Sequence, residues 1–209
     1  MSAIQKTATS LPKNYPPTPV RYPLPLFRQQ LAVADRYLFE GERREALLAA
    51  NIPLDVLTGA SDPALNVAQV AVFMQQVRLL IGQSKAIQFG HDAFLGMATQ
   101  ISKPALSPLA RAVSDSDKLF LRVREAASAL NRQTGSNFMV KWHGGAEADI
   151  FEDSGQHCYG YAGGDLACAT LTGYLCEAVV YLSSVKMDVV ESECMVNGAL
   201  ACRWHCKLA

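Results

Sequence analysis

The chain has no net charge and little charge of either sign: Lys plus Arg number 19, Asp plus Glu number 19, and together they make up 18% of the residues. A nucleic-acid binder ordinarily carries a basic stripe or a positive excess, because phosphate contacts supply much of its affinity. This balance argues against direct contact with nucleic acid. No apolar run is long enough for a membrane span, since Gln, Lys or Glu interrupts the longest candidates. The N-terminus lacks an apolar signal core, which points to the cytoplasm. There is no helix-turn-helix pair, no GxxxxGK[ST] motif and no internal repeat. A nucleophile–base–orienter set is also missing. His91 and Asp92 are adjacent, and neighbours on a helix do not face each other. No catalytic residue is assigned; the sequence leaves enzymatic activity open while favouring a non-enzyme.

What is present is core-forming material. The 209 residues are 50% hydrophobic, enough for one good core with a helical part attached. Six cysteines in a cytoplasmic chain favour metal ligands or free thiols over disulfides.

Residues 1–25 are rich in Pro and Thr and read as an arm. Helices are expected over 39–50 and briefly over 53–57. The clearest helix starts at Asn66, where Asn66 and Gln69 form a capping-box pattern and Val67, Val70, Ala71, Met74 and Val77 recur at helical spacing. Two more are expected at Ala105–Val113 and Asp115–Asn131. After Gly135 the period changes. Phe138, Val140 and Trp142 alternate with polar residues, and strands are expected there, at 146–152 and at 156–162. Gly163–Gly164 precedes a helix capped by Asp165 and running to about Ser184, apolar nearly all round and so buried. Two strands, at 188–196 and 200–208, close the chain. The parts are an arm (1–25), a helical segment (26–134) and an α/β segment (135–209), the last two forming one continuous domain.

Cys168, Glu191, Cys194 and Cys202 stand out. The last three read E-x2-C-x7-C across the terminal hairpin. Three thiolates and a carboxylate are a ligand set for tetrahedral Zn2+, and a closed set of four is structural. Glu191 and Cys194 are three apart, so a straight strand would aim them oppositely, and a metal requires a bulge between them. It also requires an odd-length turn, so that Cys194 lies across from Cys202. The competing reading is buried core cysteines. Cys158, Cys176 and Cys206 read as free thiols. Phe120, Trp142, Tyr159 and Tyr181 are candidate ligand-binding residues, with Phe138, Tyr161 and Tyr174 as further aromatics able to surround an apolar pocket.

The set Cys168, Glu191, Cys194, Cys202 resembles the zinc site of the 4-vinyl reductase-like domain, the sensing module of phenol- and xylene-responsive activators. The likeness covers about residues 135–207. The run "REALLAANIPLDVLTGASDPALNVAQVAVFMQQV", with "FGHDAFLGM" and "PLARAV", resembles the effector-binding half of one AraC-type subgroup. The vinyl-reductase-like resemblance implies an α/β (α+β) fold, with N-terminal helices, then a twisted antiparallel sheet packed by helices, ending in a zinc-bound hairpin. It further implies bound Zn2+, a homodimer and a small apolar or aromatic ligand. The expectation is a cytoplasmic ligand-binding sensor in transcription regulation, signalling through dimer or partner contacts. Two rivals remain: an enzyme or enzyme accessory acting on a tetrapyrrole or other hydrophobic substrate, and a trafficking-type scaffold subunit.

Overall fold

The computed structural model describes residues 21–98, 115–158, 168–183 and 186–208. The helix expected at Ala105–Val113, the cap Asp165, Tyr159, Tyr161 and the arm up to residue 20 lie outside these residues.

The chain opens with a two-residue strand, β1 (Arg21–Tyr22), which pairs antiparallel with β2 (Leu65–Asn66). Arg21 to Pro25, assigned above to the arm, therefore belongs to the folded body. Pro25 lies in the first turn of α1 (Leu24–Ala34), where its missing N–H has no helical partner to lose. Next come α2 (Glu40–Ala49), a 3-10 turn at Leu54–Leu57, α3 (Val67–Ile81) and α4 (Gln83–Ala98). The capping box at α3 is realised: Gln69 N donates to Asn66 Oδ1 at 2.8 Å, and Asn66 N donates to Gln69 Oε1 at 3.1 Å. Gly82, at φ +78°, ends α3 and lets α4 begin at once. Helix α5 (Asp115–Thr134) leads into β3 (Met139–Gly144) and β4 (Glu147–Glu152). Residues 156–158 form a 3-10 turn, not the start of the expected strand. Helix α6 (Ala169–Ser183), β5 (Met187–Glu193) and β6 (Cys202–Leu208) complete the chain.

The fold is α+β: helices first, then a four-stranded antiparallel sheet in the order β3-β4-β6-β5, with helices packed on it. One face of the sheet points at α5 and α6. Ile150, Met187, Val189, Cys202, Trp204 and Cys206 alternate onto that face and are buried. A single apolar cluster runs from Tyr22 to Cys206, so the helical segment and the sheet share one core. Among the described residues no helix is long and apolar enough to cross a membrane.

Helices α4 and α6 cross with glycine against backbone. A Cβ placed on Gly90 would lie 2.0 Å from the Thr170 carbonyl oxygen, and one on Gly173 would lie 2.0 Å from that of Ile87. His91 Nδ1 and Glu177 Oε1 lie within hydrogen-bond distance, 3.1 Å apart, beside the crossing. Asp92 instead accepts a hydrogen bond from the Tyr37 hydroxyl at 2.8 Å. The two neighbours thus serve different partners, as their helical offset requires.

The other sheet face is polar, and one buried carboxylate organises it. Asp149 Oδ2 meets His143 Nε2 at 2.8 Å and accepts from Arg203 at 3.1 Å, while Oδ1 meets His205 Nδ1 at 3.0 Å. Burial alone would raise its pKa; hydrogen bonds from His205, His143 and Arg203 outweigh that and hold the carboxyl at about 2. The folded pKa lies below the unfolded value near 3.8. The resulting stability is therefore fully present above about pH 4 and is lost as pH falls toward 2. Acid unfolding followed by circular dichroism should show this loss in the native chain. Asp149→Asn should cost roughly 2 kcal/mol at pH 7 and flatten that segment of the profile.

Candidate functional site

Two groups of residues in the interior have chemistry beyond packing. The first lines a cavity of about 40 Å3 between the helical segment and α6. Tyr22 and Gln30 reach it from β1 and α1, Ser136 and Phe138 from the segment after α5, and Thr170 and Tyr174 from α6; Val67, Val70, Ala71 and Met74 of α3 supply an apolar wall. Helix α6 presents Thr170, Leu171 and Tyr174 together because positions three and four apart share a face.

The polar atoms on this lining are only partly satisfied. Gln30 Nε2 donates to Tyr22 Oη at 2.9 Å. Gln30 Oε1, Thr170 Oγ1 and Tyr174 Oη are buried and have no hydrogen-bond partner. Their residues are 3%, 1% and 6% exposed, so bulk water does not solvate them. Leaving one buried polar atom unpaired costs about 1–3 kcal/mol, and three on one cavity call for an occupant. His157 also lines the cavity, its Nε2 2.9 Å from Ser136 Oγ and its ring stacked on Phe138 at 5.2 Å between centroids. Burial pushes the imidazole pKa down to about 4, so it is neutral near pH 7.

The second group is a knot of sulfur atoms at the end of α6. Cys158, Cys168, Cys194 and Cys202 bring their Sγ atoms within 4.8 Å of one another. Cys168 is 3.7 Å from Cys194 and 3.8 Å from Cys202, and Cys194 and Cys202 are 3.9 Å apart. Sulfurs bound to one ion at ~2.3 Å in a tetrahedron lie about 3.8 Å apart. Cys158 is 2.9 Å from Cys202 and 4.0 Å from Cys168. A register shift falls between Glu191 and Glu193, the irregularity expected from the three-residue spacing. It brings Cys194 round to the knot. The connection between β5 and β6 is not the short odd-length turn expected: it covers residues 194–201 and contains a 3-10 turn at Met195–Asn197 with Gly198 at φ +94°.

The fourth partner differs from expectation. Cys158, read as a free thiol, sits in the knot because the 3-10 turn at 156–158 replaces the expected strand. The Glu191 carboxylate lies alongside, where Oε2 accepts from the Cys168 backbone N–H at 3.2 Å. Burial and then the charge of Cys194 push its pKa up to about 7. Hydrogen bonds from Cys158, Cys168 and Cys202 pull the Cys194 pKa down, while the neighbouring thiols and burial push Cys158 and Cys168 up. Cys176 and Cys206 stand apart from it.

Of the aromatic residues expected to bind ligand, Tyr159 lies outside the described residues, and the other three do not meet at one site. Phe120 and Trp142 pack on each other at 5.6 Å, and Tyr181 packs on Phe94 while its hydroxyl donates to the Ala98 carbonyl at 3.0 Å. None of these three lines the cavity described above, whereas Phe138 and Tyr174 do.

Comparison with solved structures returns H-NOX proteins. A crystal structure of an H-NOX protein from S. oneidensis in the Fe(II)NO ligation state aligns at a TM-score of 0.50 and 16% identity, covering 88% of this chain and 97% of that one. An Fe(II) unliganded H-NOX mutant from K. algicida aligns at 0.52 and 7% identity, covering 88% and 95%. The Shewanella oneidensis domain in the Fe(II)CO state aligns at 0.50 and 13%, covering 90% and 98%. The shared fold is the H-NOX fold. No family model and no curated protein matches the chain.

This corrects three expectations. The likeness to 4-vinyl reductase-like domains and to AraC-type effector domains is overturned, because the chain aligns over most of its length with H-NOX domains. A four-residue spacing constrains only one hairpin and one helix end, whereas these alignments cover 88% to 90% of the chain. Zn2+ as the cofactor, read from the ligand set and strengthened by that likeness, is overturned as well. The fold neighbours are described with Fe(II), and in this chain a fourth thiol has joined the set expected for zinc.

Proposed function

We propose that this chain is a small-molecule sensor domain whose ligand occupies the internal cavity between α3 and α6. The observation that carries this reading is the set of three buried, unpartnered polar atoms on the cavity-lining residues Gln30, Thr170 and Tyr174. A ligand there touches α1, α3 and α6 at once. It shifts a conformational equilibrium only as far as it prefers one arrangement of these helices. The output then passes to a second copy of the chain or to a partner protein. Native mass spectrometry of freshly purified protein tests this: a co-purifying small molecule and the subunit count are read in one spectrum. An empty cavity that no added small molecule enters defeats the reading.

Haem, suggested by the fold neighbours, does not fit the residues present. All four histidines lie in described segments: His91 pairs with Glu177, His143 and His205 hold Asp149 on the far sheet face, and only His157 reaches the cavity. The cavity of about 40 Å3 is far below the roughly 300–1,000 Å3 of pockets for larger organic ligands.

We propose separately that the knot of Cys158, Cys168, Cys194 and Cys202, with Glu191 beside it, holds a thiophilic metal ion. The near-tetrahedral spacing of Cys168, Cys194 and Cys202 supports this. Elemental analysis of freshly purified protein names the ion. About one equivalent per chain is expected, lost on Cys194→Ser together with a large fall in thermal midpoint. Native protein free of metal, with Cys194→Ser equally stable, would remove the site.

A further inference from the structure

We infer that the cavity ligand is an uncharged molecule of about four non-hydrogen atoms that presents a hydrogen-bond acceptor beside a hydrogen-bond donor, as a small primary amide does. This rests on the sensor reading above and adds the ligand's chemistry to it.

Size comes first. One water needs roughly 10–15 Å3 measured in this way, so 40 Å3 admits about three waters or a ligand of similar bulk. Charge comes next. The lining contains no Asp, Glu, Lys or Arg. A charged ligand would therefore surrender its hydration with no countercharge to replace it. The unpartnered atoms then set the complement. Gln30 Oε1 is an amide oxygen and only accepts. Its own NH2 donates to the Tyr22 hydroxyl at 2.9 Å, and that hydroxyl directs its proton at Met97 Sδ at 3.8 Å, an arrangement that leaves the amide oxygen without a donor. Gln30 thus requires an N–H or O–H from the ligand. Tyr174 Oη and Thr170 Oγ1 are hydroxyls and can each donate. Burial raises the Tyr174 phenol well above its ordinary pKa, so it keeps its proton. Thr170 and Tyr174 are four apart on one face of α6, and two donors suit the two lone pairs of a carbonyl oxygen. Val67, Val70, Ala71 and Met74 of α3 form an apolar wall that admits a methyl group, while Thr134, Ser136 and His157 Nε2 on the lining already bond to one another or to the Leu130 carbonyl.

The inference is tested with four probes on the full chain: acetamide, acetate, methylammonium and xenon. They are read by saturable NMR chemical-shift change at Leu171 and Met74 and by the shift in thermal midpoint. Acetamide should bind and raise the midpoint, whereas acetate and methylammonium should do neither. Tyr174→Phe should weaken acetamide about tenfold and leave xenon entry unchanged. Thr170→Val, a second variant of conserved shape, should weaken acetamide by a similar factor. Acetate or methylammonium binding as well as acetamide overturns the inference, as does unaltered acetamide binding in both variants. Xenon entering while acetamide does not overturns this inference and leaves the sensor cavity standing. If no probe enters, both readings fail.

Discussion

Gly173→Ala should leave little folded protein. The added Cβ would sit 2.0 Å from the Ile87 carbonyl oxygen and 3.1 Å from His91 N. Neither is the movable end of a side chain; both belong to the backbone of α4. The helices must separate by more than an ångström, and that opens the core around Phe94, whose ring meets Tyr174 and Tyr181 edge-on at 5.2 and 5.6 Å. Overpacking with side chains able to yield costs about 1–3 kcal/mol. Here nothing yields, so a loss of roughly 3 kcal/mol or more is expected by urea titration. Gly90→Ala should behave alike, because its Cβ meets the Thr170 oxygen at the same 2.0 Å. Gly41→Ala is the control: it lies in α2 with nothing within 4 Å of a Cβ, and it should be neutral or gain up to about 1 kcal/mol from helix propensity. A Gly173→Ala protein as stable as the parent would mean that the two helices do not cross here.

Trp204→Ala should cost about 4 kcal/mol, the usual scale for emptying a large aromatic site. Trp204 is fully buried on the inner face of β6. Its indole N–H donates to Thr172 Oγ1 at 3.0 Å, and that hydroxyl donates to the Cys168 carbonyl at 3.1 Å. The side chain therefore fills the space between sheet and α6 and also ties the first turn of that helix to β6, beside the sulfur knot. Trp204→Phe separates the two contributions. It keeps most of the volume and loses only the N–H, for about 1–2 kcal/mol. Denaturant midpoints of the two variants should differ accordingly, and equal losses would show that the indole N–H, not the packing, dominates.

What could be read from the sequence was local. The capping box at Asn66 and Gln69 and the periodic apolar stripe that follows need no distant partner, and both recur in the structure. Alternation from Phe138 likewise marked β3, and an irregularity in β5, expected if one ion held both Glu191 and Cys194, is present between Glu191 and Glu193. Helices α1 and α4 carried no comparable signal. A leading proline hides the first, and two glycines weaken the second. Gly90 makes sense only once Gly173 lies against it. The cavity was the least legible feature. Its walls come from segments as far apart as Tyr22 and Tyr174, and Gln30 or Thr170 alone suggests only an ordinary polar residue. Cys158 was misplaced for a related reason: a strand would have sent it elsewhere, and a single 3-10 turn carried it to Cys202.

Between most packed helices a layer of side chains absorbs small displacements by changing rotamer. At Gly90 and Gly173 that cushion is missing, and main chain rests on main chain. Interiors of this density pass strain on with little damping. If an occupant pushes α6 by half an ångström, α4 has no means of staying behind, and the shift surfaces at His91 and Glu177, where another molecule could feel it.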